Sequence, residues 1–173
     1  MKYSVTIFFL VVFISANGQT KKETQEWLKE KIESFSYQIN DNRGHENRRY
    51  SVSFNDCIMI IRQQMEFRMD EENLKLISVV EIPIKELVKP RFDERNNRIV
   101  LILRTNKDNK ITEKLTEVGK NNTTDKVIKN ENSSETTLVF NKNAEKEKLP
   151  ERIIKAFNNL IGLCGGSVTK EVF

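Results

Sequence analysis

The spacing of the apolar residues changes twice along this chain, and that change constrains the fold more than any other feature. Trp27, Leu28 and Ile32 fall on one face of a helix, which a Thr20–Glu23 capping box would begin. From Arg48 onward, apolar and polar residues alternate, which is typical of strands with one buried face. Helical spacing returns only near the C-terminus. This order of elements predicts an α+β fold.

The central region predicts an antiparallel meander of about six or seven strands, because short polar turns separate its strand-like segments. Gln38–Asn47 is rich in turn-forming residues and predicts a loop, and Glu86–Asn97 is interpreted as a second loop. Asn106–Asn109 predicts a hairpin turn between two paired strands. Asn121–Glu135 is polar and predicts a mobile loop, although Val127–Ile128 within it is also a candidate short strand.

The C-terminal segment predicts the clearest helix. Pro150 suits a first helical turn, and Gly165–Gly166 suits a left-handed end. Its apolar stripe favours packing on a sheet; a membrane-surface helix is the weaker alternative, because the polar face carries little charge. The favoured architecture is a pleckstrin-homology-like curled sheet that this amphipathic helix closes at one end. A helix-grip or cystatin-like sheet is the runner-up.

Residues 1–18 predict a cleavable signal peptide. Val5–Ile14 is an apolar run, and Ala16 and Gly18 place small residues where a signal peptidase cleaves. The run is too short to cross a membrane, which takes about 20 residues. We therefore expect a secreted or periplasmic protein with no stable membrane insertion after cleavage, in which residues 19–173 form a single α+β domain.

Charge and cysteine content limit the partners and cofactors. The net charge is only +4, with acidic and basic residues interspersed, so no nucleic-acid partner is predicted. Two cysteines are present, and either one disulfide between Cys57 and Cys164 or two buried thiols would fit. With His45 as the single histidine, the sequence predicts no metal site and no cofactor.

Several residue groups resemble catalytic or ion sites only weakly. A Cys57–His45 pair would need the loop around His45 to fold over the Cys57 segment, and an exposed loop histidine is the preferred interpretation. Asp93–Glu94 could act on a glycan, but neighbouring arginines favour ion pairing. Two acidic stretches, Asp41–Glu46 and Asp70–Glu72, lack the spacing of a calcium loop and are interpreted as polar turns.

Basic residues concentrate between the third strand and the strand that begins at Ile99. If Glu86–Asn97 folds beside that strand, they would form an anion-binding patch; the alternative is an ordinary surface of alternating charges. The members of this predicted patch are Lys85, Lys89, Arg91, Arg95, Arg98 and Arg104.

Three segments carry a resemblance to a family. Thr24–Leu28, Ile82–Leu87 and Leu149–Gly166 are similar to segments of an uncharacterised family of small exported proteins from Bacteroidetes-type bacteria. The resemblance implies an exported location, and it implies no chemistry.

Because no nucleophile–base–metal combination is recognisable, the sequence predicts no enzyme. The leading hypothesis is an exported, non-catalytic binding or adaptor module of unknown protein or envelope partner. The alternative is a carrier of a small apolar, lipid-like ligand, held in a pocket between the sheet and the C-terminal helix. Adaptable side chains for such a pocket would be Met59, Met65, Phe67 and Met69.

Overall fold

The structure is a computed structural model that describes residues 19–35, 37–41, 44–69, 72–95, 98–106, 110–118 and 125–167. The described residues form an α+β fold, which confirms the predicted class. Helix α1 spans Lys21–Ser34 and helix α2 spans Leu149–Leu163. The strands are β1 Tyr37–Asp41, β2 Gly44–Asn55, β3 Ile58–Met69, β4 Glu72–Pro83, β5 Leu87–Arg95, β6 Arg98–Thr105, β7 Ile111–Glu117, β8 Lys126–Ser133 and β9 Glu135–Phe140. The predicted signal peptide lies outside these residues.

The strands form two antiparallel sheets rather than one meander. The first sheet has the order β1-β2-β3-β4-β7-β8, and the second has the order β5-β6-β9. The chain therefore leaves the first sheet after β4 and returns to it at β7. The predicted hairpin at Asn106–Asn109 is wrong, because β6 and β7 on either side of it belong to different sheets.

The nine described strands exceed the predicted number because two predicted loops contain edge strands. Gln38–Asn47 contains most of β1 and the start of β2, and most of Glu86–Asn97 is β5. Much of Asn121–Glu135 is β8, so the predicted mobile loop is wrong there and the alternative of a strand at Val127–Ile128 is confirmed. All three strands lie at a sheet edge, where one side of the backbone faces no other strand. Polar side chains are common at such edges, so the alternation that marks a half-buried strand is weak there.

One core joins both sheets and both helices. From α1 it takes Leu28 and Ile32, both with no exposed surface. From α2 it takes the predicted apolar stripe, so the alternative of a membrane-surface helix is wrong. The fully buried members of that stripe are Ile153, Phe157, Leu160 and Ile161. No helix of the described residues is long and apolar enough to cross a membrane.

The ends of both helices follow their sequence signals. Thr20 and Glu23 form the predicted capping box of α1. At the end of α2, Gly165 adopts a φ of +76°, and the Gly166 N–H donates to the Ile161 carbonyl at 2.9 Å. A Cβ on Gly166 would lie 2.5 Å from the Lys85 carbonyl oxygen, so only glycine fits between the helix end and that backbone.

A tyrosine connects the two sheets. The Tyr50 hydroxyl on β2 donates to the Val139 carbonyl at 3.0 Å and accepts from the Val139 N–H at 2.8 Å. Val139 belongs to β9, an edge strand of the second sheet. The Tyr50 hydroxyl therefore pairs with the backbone N–H and carbonyl that a further strand would otherwise pair with. Burial of this ring removes water from the phenol and raises the pKa of Tyr50 to about 12.

Candidate functional site

A cavity of about 560 Å³ opens between α1 and α2. Its volume lies in the range of about 300–1,000 Å³ that small-molecule sites occupy. We call it the interhelix pocket. Its lining residues are Gln19, Trp27, Arg152, Lys155, Ala156 and Asn159.

Helical spacing on α2 places its four lining residues on one side of the helix. Arg152, Lys155 or Ala156, and Asn159 follow one another at three- and four-residue steps, which brings them into a single row. The row runs beside the buried apolar stripe, so packing of that stripe on the core fixes the direction in which the row faces. The pocket therefore rests on rigid structure.

Two side-chain contacts between the helices position the polar groups of the pocket. The Asn159 amide donates to the Thr24 hydroxyl at 3.1 Å, and Thr24 itself is fully buried. The Arg152 guanidinium lies over the Trp27 ring, 5.3 Å from its centroid. A cation stacked in this way is attracted to the ring face and loses rotational freedom. Arg152 is thus held in place before any ligand arrives.

The charges that line the pocket have one sign. Arg152 and Lys155 are cations, and none of the lining residues that the structure describes is a carboxylate. Glu23, near Gln19 in sequence, accepts hydrogen bonds from the backbone and side chain of Thr20, which lower the pKa of its exposed carboxyl. That carboxylate is therefore engaged at the start of α1. The pocket offers positive charge, two amides and one aromatic ring, a set that can bind an anion.

The structure divides the predicted anion patch. The face of the second sheet that points away from the main core carries Arg91, Arg98 and Arg104. Along β6, Arg98 and Arg104 lie on the same face as Ile102, because each is an even number of positions from it. Arg91 lies on that face because it is opposite Ile102. Arg95 lies opposite Arg98 in the register. Lys85 belongs instead to a 3-10 turn before β5, and Lys89 lies at a bulge in that strand.

Carboxylates accompany the arginines on this outer face. Arg98 pairs with Glu46 at 3.6 Å, and Glu135 lies directly opposite Arg104. Asp93 lies opposite Val100, which places it on the same face. The arrangement matches the alternative interpretation, a surface of alternating charges, more closely than an anion site.

The two cysteines meet, and the only histidine is remote from them. Cys57 and Cys164 form a disulfide with their Cα atoms 5.7 Å apart, which attaches the turn between β2 and β3 to the end of α2. The expectation of a loop around His45 is wrong, since its backbone lies in β2. Twelve residues separate His45 from Cys57, which along an extended strand is roughly 40 Å. The hypothetical Cys57–His45 pair does not form.

The remaining acidic candidates are also dispersed. Asp93 and Glu94 are consecutive on β5, so their side chains point to opposite faces of the sheet and cannot act on one glycosidic bond. Glu46 is occupied by Arg48 and Arg98. Among the described residues, no group of three or more histidine, cysteine or acidic side chains could hold a metal ion. Asp70 and Glu71 lie outside the described residues.

The side chains predicted to line an apolar carrier pocket do not all lie in the main core. Met59 is fully buried in the main core, whereas Met65 and Phe67 on β3 keep some exposed surface. Only the backbone of Met69 is described, at the end of β3.

The interhelix pocket was missed at the sequence level. Its local signal was present: the polar side of α2 carries two cations and an asparagine at helical spacing. The second half of the pocket comes from α1, and Thr24 and Asn159 are 135 residues apart. Spacing along one helix cannot reveal which other helix lies against it.

Comparison of the chain with protein-family models, with curated proteins and with solved structures found no match. The geometry of the interhelix pocket is therefore the main basis for inferring a function.

Proposed function

We propose that the protein is an exported, non-catalytic binding module, secreted or periplasmic, that binds its partner at the interhelix pocket. The observation that carries this proposal is the pocket itself, which opens to the surface and is lined by two cations, two amides and a tryptophan. Its cations, amides and ring can recognise a ligand or a group on a larger partner.

Export is supported by the predicted signal peptide and by the disulfide. The apolar run Val5–Ile14 and the small residues Ala16 and Gly18 predict cleavage before Gln19. The disulfide fits an oxidising compartment, where such bonds persist. We also propose membership in an uncharacterised family of small exported proteins of Bacteroidetes-type bacteria, on the resemblance of Thr24–Leu28, Ile82–Leu87 and Leu149–Gly166.

The lack of catalysis is supported by the state of the candidate groups. Cys57 is in the disulfide and so cannot be a thiolate nucleophile. His45 lies far along β2 from it, and the acidic candidates on β5 point to opposite faces. A hydrolytic activity that is lost on His45→Ala substitution would overturn this part of the proposal.

We further propose that the fold is a variant of the pleckstrin-homology-like architecture. Support comes from the C-terminal helix, whose apolar stripe packs into one core with the inner faces of both sheets. The arrangement departs from a simple curled meander, because β7 and β8 rejoin the first sheet after β5 and β6 have formed the second. The helix-grip or cystatin-like architecture is the competing proposal.

An apolar-ligand carrier is the alternative function. It would need space between the sheets and α2, where Phe157, Leu160 and Ile161 are fully buried in the core. Because those side chains already pack there, the alternative requires them to move. Displacement of an apolar dye by fatty acids would favour the carrier, whereas failure of the protein to bind the dye would favour the binding module.

The test of the proposed function uses protein recovered from the culture medium or periplasm of its own host. The denatured mass should correspond to residues 19–173 with one disulfide. The native mass should include a bound ligand or partner, and Lys155→Glu should abolish that additional mass while Lys146→Glu, on an exposed 3-10 turn away from the pocket, should retain it. Protein that stays in the cytoplasm with Met1 attached, or that binds its ligand equally well after Lys155→Glu, would contradict the proposal.

A further inference from the structure

The interhelix pocket differs from the other charged surfaces of the described residues in its lack of acidic partners. On the outer face of the second sheet, Glu46 and Glu135 lie close to arginines. On the first sheet, Lys129 pairs with both Glu113 and Glu131 at 2.9 Å, and these hydrogen bonds raise the pKa of Lys129. The pocket brings Arg152 and Lys155 together with no carboxylate among its described lining residues. Two cations in one concave site attract an anion.

Arg152 is oriented for such an anion. The guanidinium is planar and carries five N–H donors, and its central carbon lies over the Trp27 ring, 5.3 Å from the centroid. A fork of donors matches the two oxygens of a carboxylate or phosphate group. Since the contact with Trp27 forms without a ligand, it reduces the entropy that Arg152 loses when the oxyanion binds.

The amide of Asn159 is oriented as well. Its nitrogen donates one hydrogen to the buried Thr24 hydroxyl at 3.1 Å, and Thr24 donates in turn to the Thr20 carbonyl at 3.0 Å. An amide nitrogen has a second hydrogen, and the amide oxygen can accept. Asn159 can therefore bind a further polar group of a ligand without giving up its contact with α1.

The size of the pocket and its aromatic wall indicate more than a free ion. A cavity of about 560 Å³ has room for a ring as well as an oxyanion. The half-buried Trp27 indole and the small Ala156 side chain supply apolar surface to the lining. Because the Arg152 guanidinium lies over one face of the indole, a ligand ring would contact the indole edge, and edge-to-face contact between aromatic rings is favourable.

We infer that the interhelix pocket binds an organic oxyanion, a carboxylate or phosphate group attached to a flat ring. Arg152 and Lys155 bind the oxyanion, Trp27 contacts the ring, and Asn159 contacts a polar substituent. This inference rests on the proposed function, in that it names the chemistry that the same pocket selects. A free small molecule and a terminal group on a larger envelope component would share this chemistry.

The test uses Trp27 as the reporter, because it is the only tryptophan in the chain. The oxidised protein spanning residues 19–173 is titrated with phenyl phosphate and with benzoate, and tryptophan fluorescence is followed. Inorganic phosphate tests the need for the ring, and benzamide tests the need for the charge. Each of these two is expected to bind at least about tenfold more weakly than phenyl phosphate, since it lacks one of the two recognised groups.

Matched variants assign the binding to the pocket. Arg152→Gln should weaken phenyl phosphate binding by about tenfold or more, and Arg152→Lys should have an intermediate effect because it keeps the charge but loses the fork. Lys155→Gln should weaken binding about threefold to tenfold. Arg62→Gln, at an exposed arginine on β3, and Lys146→Gln are the controls and should leave binding within about twofold. Thermal melting of each variant checks that it is folded.

Three results would overturn the inference. The first is equal binding of benzamide and benzoate, which would make the pocket a neutral-ring site and leave the proposed function standing. The second is equal binding of inorganic phosphate and phenyl phosphate. The third is unchanged binding in folded Arg152→Gln, or no fluorescence response to any probe. The proposed function is judged separately, by export and by the ligand retained in the native mass.

The natural ligand could be a free small molecule or a group attached to an envelope component. To distinguish them, phenyl phosphate bound to the protein can be displaced with candidate ligands. Displacement by a small-molecule extract of the host medium would identify a free metabolite as the source. Displacement only by isolated envelope fragments would identify a group attached to the cell surface. Either result supports the inference, and failure of both fractions to displace the probe at saturating amounts would count against it.

Discussion

Strands β6 and β8 have the same length and both pair antiparallel, yet their environments are opposite. In β6, Ile99, Leu101 and Leu103 pack into the main core, while Val100 and Ile102 join a second buried cluster with Tyr37 and Val139. In β8, Val127 and Ile128 each remain about 50% exposed, and no residue of the strand is buried. One strand is buried on both faces, and the other is held only by β7.

Two contributions make this difference. The backbone of β6 pairs with β5 on one side and β9 on the other, whereas β8 pairs, among the described strands, with β7 alone. Burial of apolar surface adds roughly 25 cal/mol per Å² to the stability of β6 and little to that of β8. We therefore expect β6 to unfold only with the whole protein, whereas β8 can open locally. The predictions below test this contrast in decreasing order of expected effect.

The largest effect is expected at the centre of β6. Leu101→Ala removes a fully buried side chain and leaves a cavity, so it should lower the free energy of unfolding by about 2–5 kcal/mol. Ile128→Ala is the matched control on β8 and should change it by less than about 0.5 kcal/mol. Urea denaturation measures both. Similar losses in the two variants would show that β8 is buried in solution.

Reduction of the Cys57–Cys164 disulfide should lower the free energy of unfolding by about 2–4 kcal/mol, because the bond closes a long loop of the unfolded chain. Hydrogen exchange can resolve the effect by strand. Protection of the β6 amides should fall with global stability, while that of the β8 amides should stay low and unchanged. The double variant Cys57→Ser/Cys164→Ser should behave like the reduced protein. Equal loss of protection in both strands would remove the contrast.

Alkaline pH should weaken the junction between the sheets. Burial raises the pKa of Tyr50 to about 12, whereas an unfolded tyrosine titrates near 10. Between these values the folded state keeps a proton that the unfolded chain has lost, so the free energy of unfolding falls as pH rises. The full loss should be about 3 kcal/mol relative to the Tyr50→Phe variant. Parallel pH profiles for wild type and variant would refute the buried hydrogen-bonded phenol.

At neutral pH, Tyr50→Phe should lower the free energy of unfolding by about 2 kcal/mol, because the Val139 N–H and carbonyl both lose their partner. Chemical denaturation gives the value. Exchange of the Val139 amide should also accelerate more than that of its neighbours in β9. An unchanged rate would mean that the edge of β9 is protected in another way.

The smallest effect is expected on β8. Val127→Thr keeps the branched shape of a half-exposed side chain, so stability should change by less than about 0.5 kcal/mol. Thermal melting is sufficient to check it. A loss above about 1 kcal/mol would indicate that Val127 is covered, and analytical ultracentrifugation would then show whether a second copy covers it.

The buried elements could be predicted from the sequence, and most of the edges could not. The apolar composition of the run from Ile99 to Leu103 and of the stripe of α2 indicates that both are buried. The polar sequences of β1 and β5 carry no such signal, and they become strands because a neighbour offers hydrogen bonds. In β8 only Val127–Ile128 indicates a strand. The distribution of strands between two sheets depends on long-range pairing, which alternation within a strand does not encode.

For a related reason, the candidate site could not be predicted from the spacing of residues within one helix. Its cations on α2 were visible as an ordinary polar face, and Trp27 was assigned to the apolar face of α1. Only the packing of α1 against α2 makes Arg152 and Trp27 neighbours. The predicted anion patch is the opposite case. Its basic residues are close in sequence, but a turn and a bulge separate them in the structure, and acidic side chains from other strands lie beside them.

The disulfide also has a mechanical consequence. Cys57 and Cys164 are 107 residues apart in sequence, and a pulling force applied at Gln19 and Ser167 would pass directly from one sulfur to the other. The chain from β3 to α2 would carry no tension, and at about 3.5 Å per extended residue roughly 370 Å of contour length would stay unreleased. Only α1, β1 and β2 would extend. A module that binds a partner on a moving cell surface would thus keep most of its fold under load until a reductant cuts the bond.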